Sequence, residues 1–157
     1  AELLRGAEAT PTRVLAAMRA AAVIELHTHG VLADDRRELS HLVLSPDVDG
    51  RSALTAADLA RSPLEAAPLV ILGACYAATS SQSIDGGLGL PEALRRAGAR
   101  AVIASTGVVG DRDAAAVVTA LVARIQAGAA PARAVRDARL AAPGGDDHWL
   151  GQLVVFQ

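Results

Sequence analysis

A thiol and an imidazole, each at the end of an apolar run, are the most reactive pair of groups this sequence offers. Cys75 is its single cysteine, and it follows Pro68-Leu-Val-Ile-Leu-Gly-Ala74. Upstream, Ala22-Val-Ile-Glu-Leu26 runs into His27-Thr28-His29-Gly30. Short apolar runs bounded by turn residues read as buried strands. A thiol ionises near pH 8.5, so little of it is thiolate at neutrality unless a neighbouring base takes its proton. An imidazole can take that proton and later return one to a leaving group. Pairing His29 with Cys75 therefore points to acyl transfer, with His29 as acid–base and Cys75 as nucleophile. Gly30 has no side chain, so its N–H can approach a reacting carbonyl. With the Cys75 amide it would bind the developing oxyanion.

The His27-x-His29 pair admits two other readings. Imidazoles two residues apart on a strand face the same side and could share a metal ion. Glu25-Leu-His27-Thr-His29-Gly is similar in this respect to the strand-end metal motif of amidohydrolases and PHP-type phosphoesterases. Those enzymes need a longer barrel and further ligands, whereas only His41 and His148 remain, neither at such a strand end. The third reading makes both histidines structural.

The elements that would hold these groups alternate between helix and strand. Thr10-Pro11 predicts a helix start, with Val14, Leu15 and Met18 on one face to about residue 20. Strands are predicted over 22–27, near 41–44, over 68–74, over 100–105 and at the end over 150–156. Ser45-Pro-Asp-Val-Asp-Gly50 is a turn, and Thr55-Ala-Ala-Asp58 a capping box opening a short helix. Pro91-Glu92 lie in the first turn of a helix that Gly98 ends. Asp111 or Asp113 caps a longer helix closed by Gly128, and Pro131 opens another to about Leu140. Strands alternating with helices predict one α/β domain over 1–157, with a parallel sheet covered on both faces. In such sheets ligands bind beyond the carboxyl ends of the strands, the edge where both His29 and Cys75 fall.

Composition narrows the function classes. A hydrophobic content of 52% excludes wholesale disorder, and with three aromatic residues (Tyr76, Trp149, Phe156) the core must be aliphatic. All fifteen basic residues are arginine, yet the net charge of −2 offers no electrostatic basis for binding nucleic acid or an acidic membrane. No apolar run reaches the roughly 18 residues a membrane span requires. A lone cysteine forms no internal disulfide, so a reducing, cytoplasmic setting is expected.

At this point the motifs resemble a known family. His-Gly after one strand and Ala-Cys after the next are similar to the caspase-like (clan CD) cysteine peptidases. They most resemble the CHAT domain, a bacterial caspase-like domain often joined to TPR repeats. Leu4-Arg-Gly-Ala-Glu-Ala-Thr10 is similar to the family's Gly-x-Glu-Ala-Thr segment, Ile24 to Gly30 to its His-Gly strand, and Leu69 to Cys75 to its Ser-Ala-Cys strand. Gly87 to Ser105 resembles the helix and strand that follow, and Asp146-Asp-His148-Trp149 the closing His-x-x-x-Trp region with altered spacing. The sequence departs from the pattern at Gly73, where Ser is usual, and at Tyr76-Ala-Ala, which replaces an acidic-Thr-Gly triplet. Ser105 to Gly110 lacks the tryptophan frequent after that strand. His27 is one step from the usual upstream histidine, which implies a structural or supporting role.

The resemblance implies a caspase-like sandwich with a mostly parallel central sheet. It also implies a cysteine endopeptidase acting on protein or peptide substrates through a thioester acyl-enzyme, with no cofactor or metal. His29 and Cys75 are the implied dyad. Asp85 falls where relatives carry an acidic residue before glycine and would pair with a basic substrate side chain; a turn-forming Asp is the simpler reading. The family pattern further implies a strand and helix before residue 1, the strand lying between the segment at Leu3–Leu4 and the strand ending at His27. On that expectation the domain is N-terminally incomplete and its open edge is filled by another segment or by self-association. Upstream TPR repeats are an expected neighbour. The rival reading is a catalytically silent caspase-like interaction module.

Overall fold

The computed structural model describes residues 2–31, 41–78, 89–109, 111–142 and 149–157. Its centre is a four-stranded sheet in the order β1-β5-β6-β7, with β1 at Val23–His27, β5 at Leu69–Gly73, β6 at Ala101–Ser105 and β7 at Leu153–Phe156. The first three run parallel: Val23 pairs with Leu69 and His27 with Gly73, while Leu69 pairs with Ala101. The fourth is antiparallel, Ser105 lying opposite Leu153. The sheet is therefore mostly parallel, and the final strand closes it in the opposite sense. That strand also starts later than expected, because Trp149–Gln152 form a 3₁₀ turn.

Two aliphatic cores form because β5 and β6 are apolar along 69–72 and 101–104. Val70, Leu72, Val102 and Ala104 face one layer, with α1 (Pro11–Met18), α2 (Ala56–Ala60) and α3 (Leu90–Ala97). Leu69, Ile71, Ala101 and Ile103 face the other, with α4 (Asp111–Gln126) and α5 (Pro131–Ala141). Burying each of these Val, Leu and Ile side chains stabilises the fold by about 1.5–3 kcal/mol, so β5 and β6 are the least movable part of the sheet. β1 differs: Ile24 and Leu26 enter the first core, but Glu25 and His27 on its other face are exposed. Among the described strands β1 is the sheet's edge. A groove of about 580 Å³ runs beside it, between residues 22–28 and Glu2–Leu4.

A second, antiparallel sheet joins β2 (Gly30–Val31), β3 (His41–Val43) and β4 (Ala53–Thr55). Only β3 was expected from the sequence. β2 is too short to show alternation, and Thr55 serves both as the last residue of β4 and as the cap of α2. The helix boundaries follow local chemistry more closely. Pro lies at or next to the first position of α1, α3 and α5, and Gly98 closes α3 at φ +114°. A side chain at position 98 would adopt that left-handed backbone at a cost and press on the Leu64 carbonyl.

The capping box at α2 forms as expected. Thr55 Oγ1 accepts the Asp58 N–H at 3.1 Å, and the Asp58 carboxylate accepts the Thr55 N–H at 3.1 Å. Burial alone would raise the Asp58 carboxyl, but the Thr55 hydroxyl and amide, with Arg51 and Arg61, hold it below its ordinary 3.8. A carboxyl depressed in the folded state stabilises the fold above its unfolded pKa and stops doing so as pH falls through the folded value. Thr55→Ala should therefore cost about 1 kcal/mol at pH 7 in urea denaturation. The stability gap between wild type and Asp58→Asn should narrow as the pH is taken below 3.8.

Candidate functional site

The parallel register decides which groups meet. His27 and Gly73 are cross-strand partners at the carboxyl ends of β1 and β5. Two residues further along each chain come His29 and Cys75, so strands that end level deliver both to the same sheet edge. The contact there is close. An added Cβ at Gly30 would lie 2.8 Å from the Cys75 carbonyl oxygen and 3.5 Å from the Ala74 Cβ. Gly30 is thus required for a reason other than the one read from sequence: any side chain would collide with the backbone of Cys75. The His29–Gly30 and Ala74–Cys75 backbones pack against one another with no room to spare.

Thr28 and the second sheet hold the histidine segment. The Thr28 hydroxyl donates to the Val43 carbonyl, and the Val43 N–H donates to the His29 carbonyl at 2.9 Å. Since Gly30 lies opposite Leu42, the position next to that bonded pair, its N–H is turned away from β3. The ladder therefore leaves the Gly30 N–H uncommitted, as an oxyanion donor has to be. The His29 side chain is exposed, and Cys75 is half-buried.

The cysteine segment is held from the opposite side. Tyr76 adopts φ +57°, a left-handed conformation that costs a non-glycine residue roughly 1–2 kcal/mol. This sharp turn directly after Cys75 ends the strand direction and carries the chain across β6. There the Tyr76 N–H donates to the Gly107 carbonyl at 3.0 Å, and the Ala78 N–H to the Ser105 carbonyl at 2.9 Å. The Tyr76 amide is consumed by that bond and is not an oxyanion donor. Ser105 is fully buried, and its hydroxyl accepts the Gly107 N–H at 3.2 Å while donating to the Gly107 carbonyl at 3.1 Å. It locks the turn on which the nucleophile segment rests. Sequence reasoning treated Ser105 as a strand end only, although a buried-strand serine followed by Thr-Gly was the available signal.

The other expected residues divide plainly. The His27 ring lies over Gly73, with Nε2 3.3 Å from Glu25 Oε2. It is not beside Cys75 in register. Asp85 and His148 lie outside the described residues, as does the turn expected at 143–147. A shared metal at His27 and His29 would need further ligands. Among the described residues no three His, Cys, Asp or Glu side chains gather to supply them. Nor, among those residues, is any helix long and apolar enough to cross a membrane.

Comparison with known proteins gives the family. The family model described as CHAT domain matches residues 1–148. That span takes in both strand ends, the Cys75 turn and the Ser105 turn. No curated protein matches the chain in sequence.

Gly30→Ala should show how tight the approach is. The added methyl meets a backbone carbonyl that cannot rotate away, so we expect a loss of about 1–3 kcal/mol in denaturant unfolding. Ser105→Ala strands the Gly107 N–H in a buried turn and should cost about 1–3 kcal/mol in the same measurement.

Proposed function

We propose, from the premise that this chain belongs to the CHAT domain family, that it is a cysteine endopeptidase acting through Cys75 and His29. The family relates it to the caspase-like peptidases. What supports the finer reading is the contact of Gly30 with the Cys75 carbonyl, which sets the two backbones side by side at the edge where substrates bind.

On this reading His29 removes the Cys75 proton, and the thiolate attacks the carbonyl carbon of a peptide bond. The Gly30 and Cys75 N–H groups stabilise the oxygen as it gains negative charge. Collapse of the tetrahedral intermediate breaks the C–N bond, and the amine leaves with the proton held by His29. A thioester to Cys75 remains. Water, losing a proton to His29, attacks the thioester; the C–S bond breaks, the acid is released and the proton returns to the thiol. No cofactor enters at any step. Since His29 is exposed and lacks a buried carboxylate partner among the described hydrogen bonds, its orientation depends on the Val43 N–H bond to its carbonyl and on the Thr28 hydroxyl bond to the Val43 carbonyl beside it.

The substrate is a protein or peptide, with Asp85 as the candidate partner of a basic side chain. The β1 edge, open among the described strands, and its groove leave room for an added strand from another segment or a second copy, and TPR repeats in the parent chain are a candidate neighbour.

A cysteine-directed activity probe with an arginine at the acyl position should label the wild-type protein and leave Cys75→Ala unlabelled. His29→Ala should lower turnover of a cleavable protein substrate by 100-fold or more, within the roughly 10²–10⁴-fold range of general acid–base catalysis. Turnover that survives Cys75→Ala would exclude the peptidase mechanism. Cleanly folded protein that neither labels nor cleaves would favour the interaction-module reading.

A further inference from the structure

His27 is the one histidine of the His-x-His pair that the proposed chemistry does not use, and its surroundings are specific. An added Cβ at Gly73 would lie 2.4 Å from His27 Nδ1, 3.0 Å from Cε1 and 3.2 Å from Cγ. The imidazole therefore occupies the volume a side chain at position 73 would fill. Its far nitrogen, Nε2, is 3.3 Å from Glu25 Oε2. Glu25, His27 and Gly73 form one line: Glu25 and His27 are alternate residues on one face of β1, and Gly73 is His27's cross-strand partner.

We infer that His27 is a positioning residue: its ring, a wedge lying over Gly73 on the open face of the paired β1 and β5 ends, steadies the spacing of His29 from Cys75. Glycine at position 73 is what admits the wedge. The physical case rests on three features. The ring bears directly on the backbone of Gly73, two residues before Cys75, while its own backbone is two residues before His29. The face of β1 that carries it is exposed, so among the described residues no helix covers that end of the strand from this side. The first core holds only the opposite face, through Ile24 and Leu26. Beyond the last ladder pair, His27 with Gly73, the ring adds to the Thr28 and Val43 bonds that hold the edge strand's exit.

Position 73 and position 27 are then a coupled pair. A larger residue at 73 cannot coexist with this ring orientation, which gives the glycine that replaces the family's usual serine a definite purpose. Glu25 holds the ring by its far nitrogen, but the pair is about half exposed (45% and 39%), so this contact orients rather than anchors.

The inference rests on the dyad reading, and the test separates the two. Cys75 is the sole thiol, so its rate of alkylation by iodoacetamide, followed against pH, reports its thiolate fraction without any substrate. The titratable groups on the neighbouring strand are His29, just beyond the paired residues, and behind it His27 and Glu25, which lie opposite Gly73 and Ile71. In wild type, alkylation should persist below pH 7 and His29→Ala should abolish that low-pH reactivity. Gly73→Ala should lower the rate at pH 6.5 by about tenfold or more, and His27→Ala by about threefold. The double variant should match His27→Ala, because the methyl no longer has a ring to displace; contacting pairs are non-additive in this way. A wild-type profile that His29→Ala leaves unchanged overturns the dyad and this inference with it. A low-pH reactivity that depends on His29 but survives both single substitutions overturns this inference alone, as does a double variant whose losses simply add. Should Gly73→Ala fail to fold, His27→Ala decides: an unchanged profile refutes the wedge.

Discussion

The parallel, in-register pairing of β1 with β5 is the constraint on which the candidate site depends. Each residue step advances both strands equally, so strands that start level end level. His27 meets Gly73, and the residues beyond them emerge together at one sheet edge. β5 cannot shift in response to anything at that edge, because its apolar residues are locked between two cores. β1 has a core on one face only. The site is therefore built from one rigid and one less constrained strand, and the contacts at the exit of β1 make up the difference.

Those contacts share a pattern: a glycine backbone stands wherever a side chain would be in the way. Gly30 lies on the Cys75 carbonyl and Gly73 lies under His27. Gly107 lends its carbonyl to the Tyr76 amide. The strained turn at Tyr76 is held by hydrogen bonds to β6, whose own turn is fixed by the buried Ser105 hydroxyl. Strain near a reactive group persists when the surroundings over-determine it. Here the support runs from the buried sheet outward to the cysteine. The CHAT domain match spans all of these positions, so the support and the reactive residues fall within one family unit.

Much of the fold was legible in the sequence because its signals are local. Thr55 and Asp58 cap α2, Gly98 ends α3 in a left-handed turn, and Pro131 opens α5. The continuous apolar runs at 69–72 and 101–104 announced strands buried on both faces. The second sheet was hidden, since two- and three-residue strands are too short for periodicity to show. The antiparallel sense of β7 was hidden as well, because an apolar run carries no direction.

The sequence by itself determined the residue types, their order and the strand ends that carry Cys75 and His29, since these follow from apolar runs and turn residues close in the chain. It also marked His27 and Gly73 as departures from a pattern, but as unrelated ones. Tertiary structure alone decided that these two residues touch, that Gly30 is needed against Cys75, and that Ser105 supports the turn after the cysteine. Each of these depends on the register between strands some 40 or more residues apart, or on a turn reached across the sheet. Local propensity contains no information about which residue of a distant strand lies opposite; packing of the two cores supplies it.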